Sequence, residues 1–235
     1  MRLFGYRISL KLKIGKAVEP IRINEDFQKK VFGSNSQCLE DLHLNAIFRD
    51  REIGFYIDIG ANDPVVFSNT KLFYERGWRG INIEPNIELY KQFCIARPLD
   101  INLNVGVGDS TGELAFYEMD PHTLSTFNKQ EIKENVKKFS AVLVAERKVP
   151  VITLKEIFTT HVQGKNVDFI SIDTEGFEDR VIAGNDWERN RPAILVMEMD
   201  HDHDNELSKM MQSKNYDIVL HNGLNAIFAD RKKFL

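Results

Sequence analysis

Short apolar runs alternate with stretches of helical spacing along most of the chain. Runs rich in β-branched and aromatic residues predict strands over residues 55–60, 80–85, 100–107, 167–173 and 192–198. Apolar positions that recur every three or four residues predict helices over residues 36–50, 71–77 and 86–97. Strands that alternate with helices of this length form βαβ units, so the pattern predicts a parallel sheet with helices on both faces.

Two segments depart from this rhythm. Residues 110–150 contain an extra strand pattern and a polar helical pattern. We interpret them as an insertion that supplies substrate contacts, with a plain surface excursion as the alternative. Near the end of the chain, residues 216–230 predict two strands around Asn222-Gly223, a type I′ hairpin signal. A terminal hairpin places one strand antiparallel to the rest of the sheet.

The N-terminal segment is basic and alternates at the period of a strand. Residues 1–16 contain no acid, and their cations are Arg2, Arg7, Lys11, Lys13 and Lys16. We predict an N-terminal extension over residues 1–34 that packs on the protein or pairs with a partner, or else makes a peripheral membrane contact through these cations. The cations interrupt the apolar core that a signal peptide needs, so secretion is not expected. Residues 35–235 are assigned to one α/β domain.

The charge balance disfavours a nucleic-acid partner. Lys and Arg number 31 and Asp and Glu number 35, which gives a formal net charge of -4, whereas nucleic-acid-binding domains are usually basic. Cys38 and Cys94 have the spacing of neither a disulfide framework nor a zinc site, and we interpret them as reduced thiols. No apolar run approaches the roughly 18 residues that span a bilayer. We therefore expect a cytoplasmic protein, and the sequence leaves its oligomeric state open.

Acidic residues follow the predicted strands. The chain has an acid at or just beyond the carboxyl end of each of five predicted strands: Asp58, Glu84, Asp109, Asp173 and Glu198. We expect those ends to share one edge of a parallel sheet. Ligands of open α/β sheets bind outside this edge. A single acid in such a position is as often a helix cap. The set as a whole nevertheless predicts a ligand site.

The turn after the first strand indicates the kind of ligand. It contains Gly60 but lacks the G-x-G-x-x-G that cradles a pyrophosphate, and the P-loop lysine motif is also absent. Glu84 lies near the offset of about 20 residues after such a turn at which an acid accepts the ribose hydroxyls of a nucleoside. A nucleoside without phosphates is indicated. S-adenosylmethionine meets this description, because its sulfonium and ammonium groups suit an acid-lined pocket.

Several motifs carry a resemblance to a known family. They are FYIDIGANDP at residues 55–64, RGWRGINIEP at 76–85, VGD at 107–109 and DTEGFE at 173–178. In order and spacing they resemble the FkbM family of S-adenosylmethionine-dependent methyltransferases, over residues 35–230. The resemblance implies an α/β class I methyltransferase fold, Rossmann-like, with a mostly parallel seven-stranded sheet and a C-terminal antiparallel hairpin strand. Many members carry lysine where this chain has Ser171, so any role of that lysine is absent.

The resemblance also implies which side chains bind the donor and the acceptor. The methionine end of the donor is assigned to Asp58, Gly60, Ala61 and Asn62, the ribose to Glu84 with Pro85, the adenine side to Asp109, and further polar contacts to Ser68 and Thr70. Substrate contacts are assigned to His122, Ser125 and Thr126 in the insertion and to Glu175.

A hydroxyl acceptor must lose its proton during methyl transfer, and residues 198–204 are dense in groups that take protons. His201 or His203 is the predicted general base, with Asp173 as a further catalytic candidate at the same edge. The alternative is a Mg²⁺ or Mn²⁺ site formed by Asp173, Glu198 and Asp200. A solvated loop without chemistry is the structural alternative for this segment.

The predicted function is O-methylation of a hydroxyl on a sugar, glycan or other small molecule, as in surface-polysaccharide or natural-product biosynthesis. Two alternatives stay open. One is methylation of nitrogen on an amine, phosphoramidate or other small acceptor. The other is a nucleoside-binding module without catalysis.

Overall fold

The computed structural model of the chain describes residues 32–199 and 204–234. Its strands are β1 (Phe55–Ile59), β2 (Arg79–Ile83), β3 (Ile101–Leu103), β4 (Gly106–Gly108), β5 (Gly112–Asp120), β6 (Val142–Thr153), β7 (Phe169–Ile172), β8 (Ile194–Glu198), β9 (Tyr216–His221) and β10 (Asn225–Asp230). Its helices are α1 (Glu40–Ile47), α2 (Lys71–Glu75), α3 (Ile87–Ala96), α4 (Lys129–Phe139), α5 (Leu154–Ile157), α6 (Glu178–Ala183), α7 (Asp204–Ser213) and α8 (Arg231–Phe234). A 3-10 turn covers His122–Leu124, and a π-helical turn covers Phe158–Val162.

Seven strands form the main sheet, in the order β3-β2-β1-β7-β8-β10-β9. Strands β1, β2, β3, β7 and β8 are parallel, and β10 runs antiparallel between β8 and β9. The order reverses between β1 and β7, which is the switch point where ligands bind in sheets of this kind. The predicted α/β fold, with a mostly parallel seven-stranded sheet and an antiparallel C-terminal strand, is confirmed.

Alternate side chains of the sheet contribute to two apolar cores, one on each face. Ile57 of β1 and Ile170 of β7 belong to the first core, and Tyr56 and Phe169 on the same two strands belong to the second. Because both faces are covered, the strands read as nearly continuous apolar runs. Asp58 is the polar exception in β1, and it is buried on the face of Tyr56. A buried carboxyl group needs hydrogen-bond partners in the protein.

The predicted single strand over residues 100–107 is wrong. The chain forms β3, breaks at Asn104 and resumes as β4, which pairs with β6 in a second sheet of order β4-β6-β5. The side-chain amide of Asn104 donates to the backbone oxygens of Glu84 at 2.8 Å and Pro85 at 2.9 Å. These bonds fasten the break to the end of β2. The spacing of apolar residues does not predict these hydrogen bonds.

The segment interpreted as an insertion contains β5, the 3-10 turn, α4 and most of β6. Helix α4 begins at the N-cap Asn128, whose side-chain oxygen accepts a hydrogen bond from the first turn. Met119, Leu124 and Ala141 form a small apolar core that is separate from the two cores of the main sheet. The segment therefore has packing of its own rather than running as an irregular loop.

Strands β9 and β10 form the predicted hairpin, but the predicted turn type is wrong. The N–H of Asn222 donates to the backbone oxygen of Asn225 at 3.1 Å, so Gly223 and Leu224 are the central residues. Of these two, only Gly223 has a positive φ, +94°, whereas a type I′ turn requires it at both positions. The side-chain oxygen of Asn222 accepts from the N–H groups of Leu224 and Asn225, which stabilises this different turn.

Part of the predicted chemistry lies outside the described residues. This applies to residues 1–31, with the strand pairing or membrane contact expected of them, and to Asp200, His201 and His203. Among the helices of the described segments, none combines the length and apolarity needed to cross a membrane.

Candidate functional site

Carboxylates from neighbouring strands lie at the carboxyl edge of the main sheet. Strands β2, β1, β7 and β8 are consecutive in the sheet, and Glu84, Asp58, Asp173 and Glu198 lie at or just after their ends in the same order. The N–H of Asp173 donates to the backbone oxygen of Ile59 at 3.0 Å, which continues the pairing of β1 with β7. The structure thus brings these four acids to one edge.

Asp109 does not join them, so its predicted place at this edge is wrong. It follows β4, which belongs to the second sheet, and its Oδ2 accepts from Nη1 of Arg180 at 2.5 Å. The hydrogen bond from Arg180 lowers the pKa of Asp109. Asp109 would lie at this edge only if residues 100–107 formed one continuous strand of the main sheet, and they do not. The role of Asp109 at the adenine side stays a prediction.

The turn after β1 is fitted between the two neighbouring strands. Gly60 has a φ of +72°, and a Cβ added there would lie 1.8 Å from the backbone oxygen of Asp173. The N–H groups of Gly60 and Ala61 both donate to the backbone oxygen of Ile83, at 3.0 and 3.1 Å. Asn62 also has a positive φ, +54°. Only glycine fits at position 60, because any side chain would collide with the backbone of Asp173, directly after β7.

Gly60→Ala is expected to destabilise the protein strongly. The added methyl group would meet the carbonyl of Asp173 in a backbone conformation that L-residues avoid, so we expect the free energy of unfolding to fall by about 3 kcal/mol or more. Urea denaturation followed by circular dichroism measures this loss. Gly77→Ala is the matched control, because Gly77 has a φ of +91° with nothing within 4 Å of its added Cβ, and about 1 kcal/mol is expected. Equal losses would show that contact with Asp173 does not require glycine.

Glu84 joins this turn to helix α3. Its Oε2 accepts from the N–H of Asn62 and its Oε1 from the N–H of Asn86, both at 2.7 Å. Burial raises the pKa of Glu84 to about 8, and the two hydrogen bonds oppose that rise. Pro85 follows and offers its carbonyl to Asn104. A carboxylate has about four lone-pair sites, so Glu84 keeps acceptor capacity that fits the two ribose hydroxyls of a nucleoside.

Three further residues predicted to contact the donor form a buried polar network beneath the turn. The Oγ1 of Thr70 donates to Oδ2 of Asp58 at 2.5 Å, and the hydroxyl oxygen of Ser68 accepts from the N–H of Lys71 at 3.2 Å. Burial raises the pKa of Asp58 to about 6, while Thr70 and the guanidinium of Arg97 lower it. The helical spacing of residues 86–97 identifies Arg97 only as the last residue of a predicted helix. The structure makes it part of this network.

Carboxylates also cluster just beyond β7 and at the last residue of β8. One oxygen each of Asp173, Glu175 and Glu198 lies within 4.8 Å of the others. Burial and neighbouring acids raise the pKa of Asp173 to about 7 and that of Glu175 well above its ordinary range. Glu175 therefore joins Asp173 and Glu198, two of the three residues that the sequence predicts for a metal site. Such a cluster can share a proton or hold a hard cation.

The loop that carries Glu175 is held from two sides. Oε1 of Glu178 accepts from the N–H and the hydroxyl of Thr174, both at 2.8 Å, so Glu178 stabilises the start of α6. The Oγ1 of Thr126 donates to the backbone oxygen of Glu175 at 2.8 Å. The insertion therefore reaches the carboxylate cluster through Thr126.

The other two insertion residues predicted to bind substrate are placed differently. The hydroxyl oxygen of Ser125 accepts from the N–H of Met119 at 3.0 Å. His122 is exposed on the 3-10 turn. Among the described residues, neither side chain has a hydrogen bond to the clustered carboxylates. The substrate roles of Ser125 and His122 therefore stay predictions.

Comparison with known proteins gives the family. A family model for the methyltransferase FkbM domain matches residues 58–222. Curated proteins yield no match. Among solved structures, precorrin-6y C5,15-methyltransferase from Geobacter metallireducens GS-15 is similar with a TM-score of 0.38 and 13% identity, over 80% of this chain and 86% of that chain. Because the family match spans most of the sequence, the chain belongs to the FkbM methyltransferase family and is an S-adenosylmethionine-dependent methyltransferase.

Proposed function

We propose that the protein methylates a hydroxyl of a sugar or glycan at the carboxyl edge of its main sheet. Bound S-adenosylmethionine supplies an electrophilic methyl group on a sulfonium. Glu84 binds the ribose hydroxyls, and the turn 60–62 with Asp58 holds the methionine end. This assignment is supported by the acceptor capacity that Glu84 retains and by the acidic edge, which suits a cationic ligand.

The acceptor assignment rests on one observation, the cluster of Asp173, Glu175 and Glu198. A hydroxyl is a poor nucleophile until its proton leaves. With a pKa raised to about 7, the carboxyl group of Asp173 takes that proton near neutral pH. Carboxylates also accept hydrogen bonds from adjacent hydroxyls, which a sugar presents in pairs. Thr126, which bonds to the backbone of Glu175, supports a role of the insertion beside the acceptor.

The proposed reaction has two alternatives to Asp173 for removing the proton of the acceptor hydroxyl. His201 or His203 follows Glu198 in the chain and is a rival general base. A Mg²⁺ or Mn²⁺ ion held by Asp173, Glu198 and Asp200 would instead lower the pKa of the acceptor hydroxyl, and the position of Glu175 adds it to that ligand set. Activity that is lost on chelation and restored by the metal distinguishes this version from the other two.

The setting proposed for this reaction is cytoplasmic biosynthesis of a surface polysaccharide or natural product. The basic residues of the segment 1–16 would bring the protein to a membrane surface where a lipid-linked acceptor is used. The net charge of -4 gives no support to a nucleic-acid acceptor.

A panel of acceptors tests the proposed reaction. The protein is incubated with S-adenosylmethionine and sugars, sugar nucleotides, polyols or amines, and release of S-adenosylhomocysteine is measured. We expect release with one class of hydroxyl acceptor and none with its deoxy analogue. Release with amines alone would identify an N-methyltransferase. Tight binding of S-adenosylhomocysteine without turnover on any acceptor would favour a nucleoside-binding module.

A further inference from the structure

Arg97 is buried at the C-terminal end of α3, beneath the turn that follows β1. It is 1% exposed. Its guanidinium donates to Oδ1 of Asn82 at 3.2 Å, Oγ1 of Thr70 at 2.5 Å, Oγ of Ser68 at 2.7 Å and the backbone oxygen of Pro64 at 2.8 Å. Residues 60–70 are termed the donor loop. Asn82 lies on β2, so one side chain ties this loop to the neighbouring strand.

The donor loop has a conformation that needs such support. Phe67 has a φ of +56°, a backbone conformation that is strained for a bulky L-residue and persists only where the surroundings hold it. The residue is 41% exposed and belongs to none of the three apolar cores of the described residues, so no core fixes its ring. Arg97 holds the loop before Phe67, at Pro64, and after it, at Ser68 and Thr70. The bonds of Arg97 therefore bracket the strained residue.

The same guanidinium reaches Asp58 through Thr70. The hydroxyl of Thr70 accepts from Arg97 and donates to Asp58, so its proton points at the carboxylate. Without Arg97, the hydroxyl oxygens of Thr70 and Ser68 would lose a charged donor inside the protein, which is costly for buried polar groups. The positive charge of Arg97 also opposes the rise in the pKa of Asp58 that burial causes.

We propose that Arg97 is a positioning residue for the methyl donor, acting through Ser68, Thr70 and Asp58 to hold the donor loop in its binding conformation. The assignment rests on the proposed donor site, since loop geometry then controls donor affinity. It is independent of the acceptor and of the group that removes its proton.

Arg97→Met and Arg191→Met form a matched pair for the test. The side chain of Arg191 is 8% exposed, and it donates to Asp230 at 2.6 and 2.9 Å and to the backbone oxygen of Trp187 at 2.7 Å. Arg191 precedes β8, at the opposite edge of the sheet. Both variants lose a buried guanidinium, so we expect similar falls in melting temperature. Calorimetric titration with S-adenosylhomocysteine should show affinity at least about tenfold weaker in Arg97→Met and within about twofold of wild type in Arg191→Met.

The affinity for S-adenosylhomocysteine is also measured between pH 5 and 7. A loss of stability alone would not change the pH at which this affinity rises. Asp58 has a pKa of about 6, and wild-type affinity should rise with pH as it ionises. The charged and titratable groups that face it are Tyr56, Glu84, Arg97, Asp100 and Asp173. In Arg97→Met the rise should move to higher pH, because the opposing positive charge is gone. Arg97→Lys keeps the charge, so its rise should stay near the wild-type position.

Each outcome decides the assignment. If Arg97→Met does not fold, Arg97→Lys replaces it, and we expect affinity at least about threefold weaker because an ammonium group cannot reproduce the forked hydrogen bonds. Wild-type affinity in the Arg97 variant, or an equal loss in Arg191→Met, overturns the proposal. Wild-type protein that gives no heat with S-adenosylhomocysteine overturns the proposed donor site itself, and this assignment with it.

Discussion

Glu84→Ala should weaken binding of S-adenosylhomocysteine by about 100-fold or more. A hydrogen bond contributes about 0.5–1.5 kcal/mol between neutral groups and about 1.5–3 kcal/mol when one group is charged, and the variant removes the acceptor for two ribose hydroxyls. It also leaves the N–H groups of Asn62 and Asn86 without the carboxylate that holds them. Isothermal titration calorimetry measures the change, with the melting temperature of the unliganded variant as a check that it is folded.

Two further variants make this result specific. Glu88→Ala removes an exposed acid from the first turn of α3, where it pairs with Lys91 at 2.8 Å, and should bind within about twofold of wild type. Glu84→Gln keeps the shape and one acceptor oxygen, so we expect an intermediate loss. Tight binding by folded Glu84→Ala would contradict the ribose assignment.

Asp173→Asn should lower kcat by about 10²–10⁴ while S-adenosylhomocysteine affinity changes by less than about threefold. An amide has nearly the same shape as the carboxyl group but cannot take the acceptor's proton. The wild-type kcat should rise with pH through about 7, because the carboxyl group of Asp173 must be ionised to act as a base. The variant should lack that rise. Steady-state kinetics with the acceptor from the panel measures both effects.

The control for this prediction is Asp179→Asn. Asp179 is an exposed acid on α6 that accepts from the N–H of Arg180, and its replacement should leave kcat unchanged. The rival bases are tested by His201→Asn and His203→Asn. Loss of kcat in either histidine variant with wild-type kcat in Asp173→Asn would contradict the assignment of Asp173.

Local features of the sequence were sufficient to predict most of the main sheet. Strands β1 and β7 are covered on both faces, so their apolar runs are continuous, and Ile57 and Ile170 mark them without tertiary information. The start of α3 is marked by Asn86, whose side chain accepts from the first turn. Parallel strands then place their following acids at one edge, which is why Asp58 and Glu84 were predictable as neighbours.

The features that sequence reasoning missed depend on contacts between distant segments. Asn104 breaks the third strand through bonds to the end of β2, and this break carries Asp109 away from the edge. Glu175 lies beside Asp173 in a loop where its own φ is +52°, a conformation that no periodic pattern indicates. The partners of Arg97 lie on another strand and its loop. The sequence shows only that Arg97, a long cationic residue, lies between the end of the helix and Pro98. It does not indicate which residues Arg97 binds.

A crystal structure of the complex with S-adenosylhomocysteine tests the central claim most directly. We predict the ribose beside Glu84 and the thioether end at the turn 60–62, facing Asp173. A nucleoside bound away from Glu84, with the ends of β1 and β2 left free of ligand, would contradict the donor site on which the methylation mechanism depends.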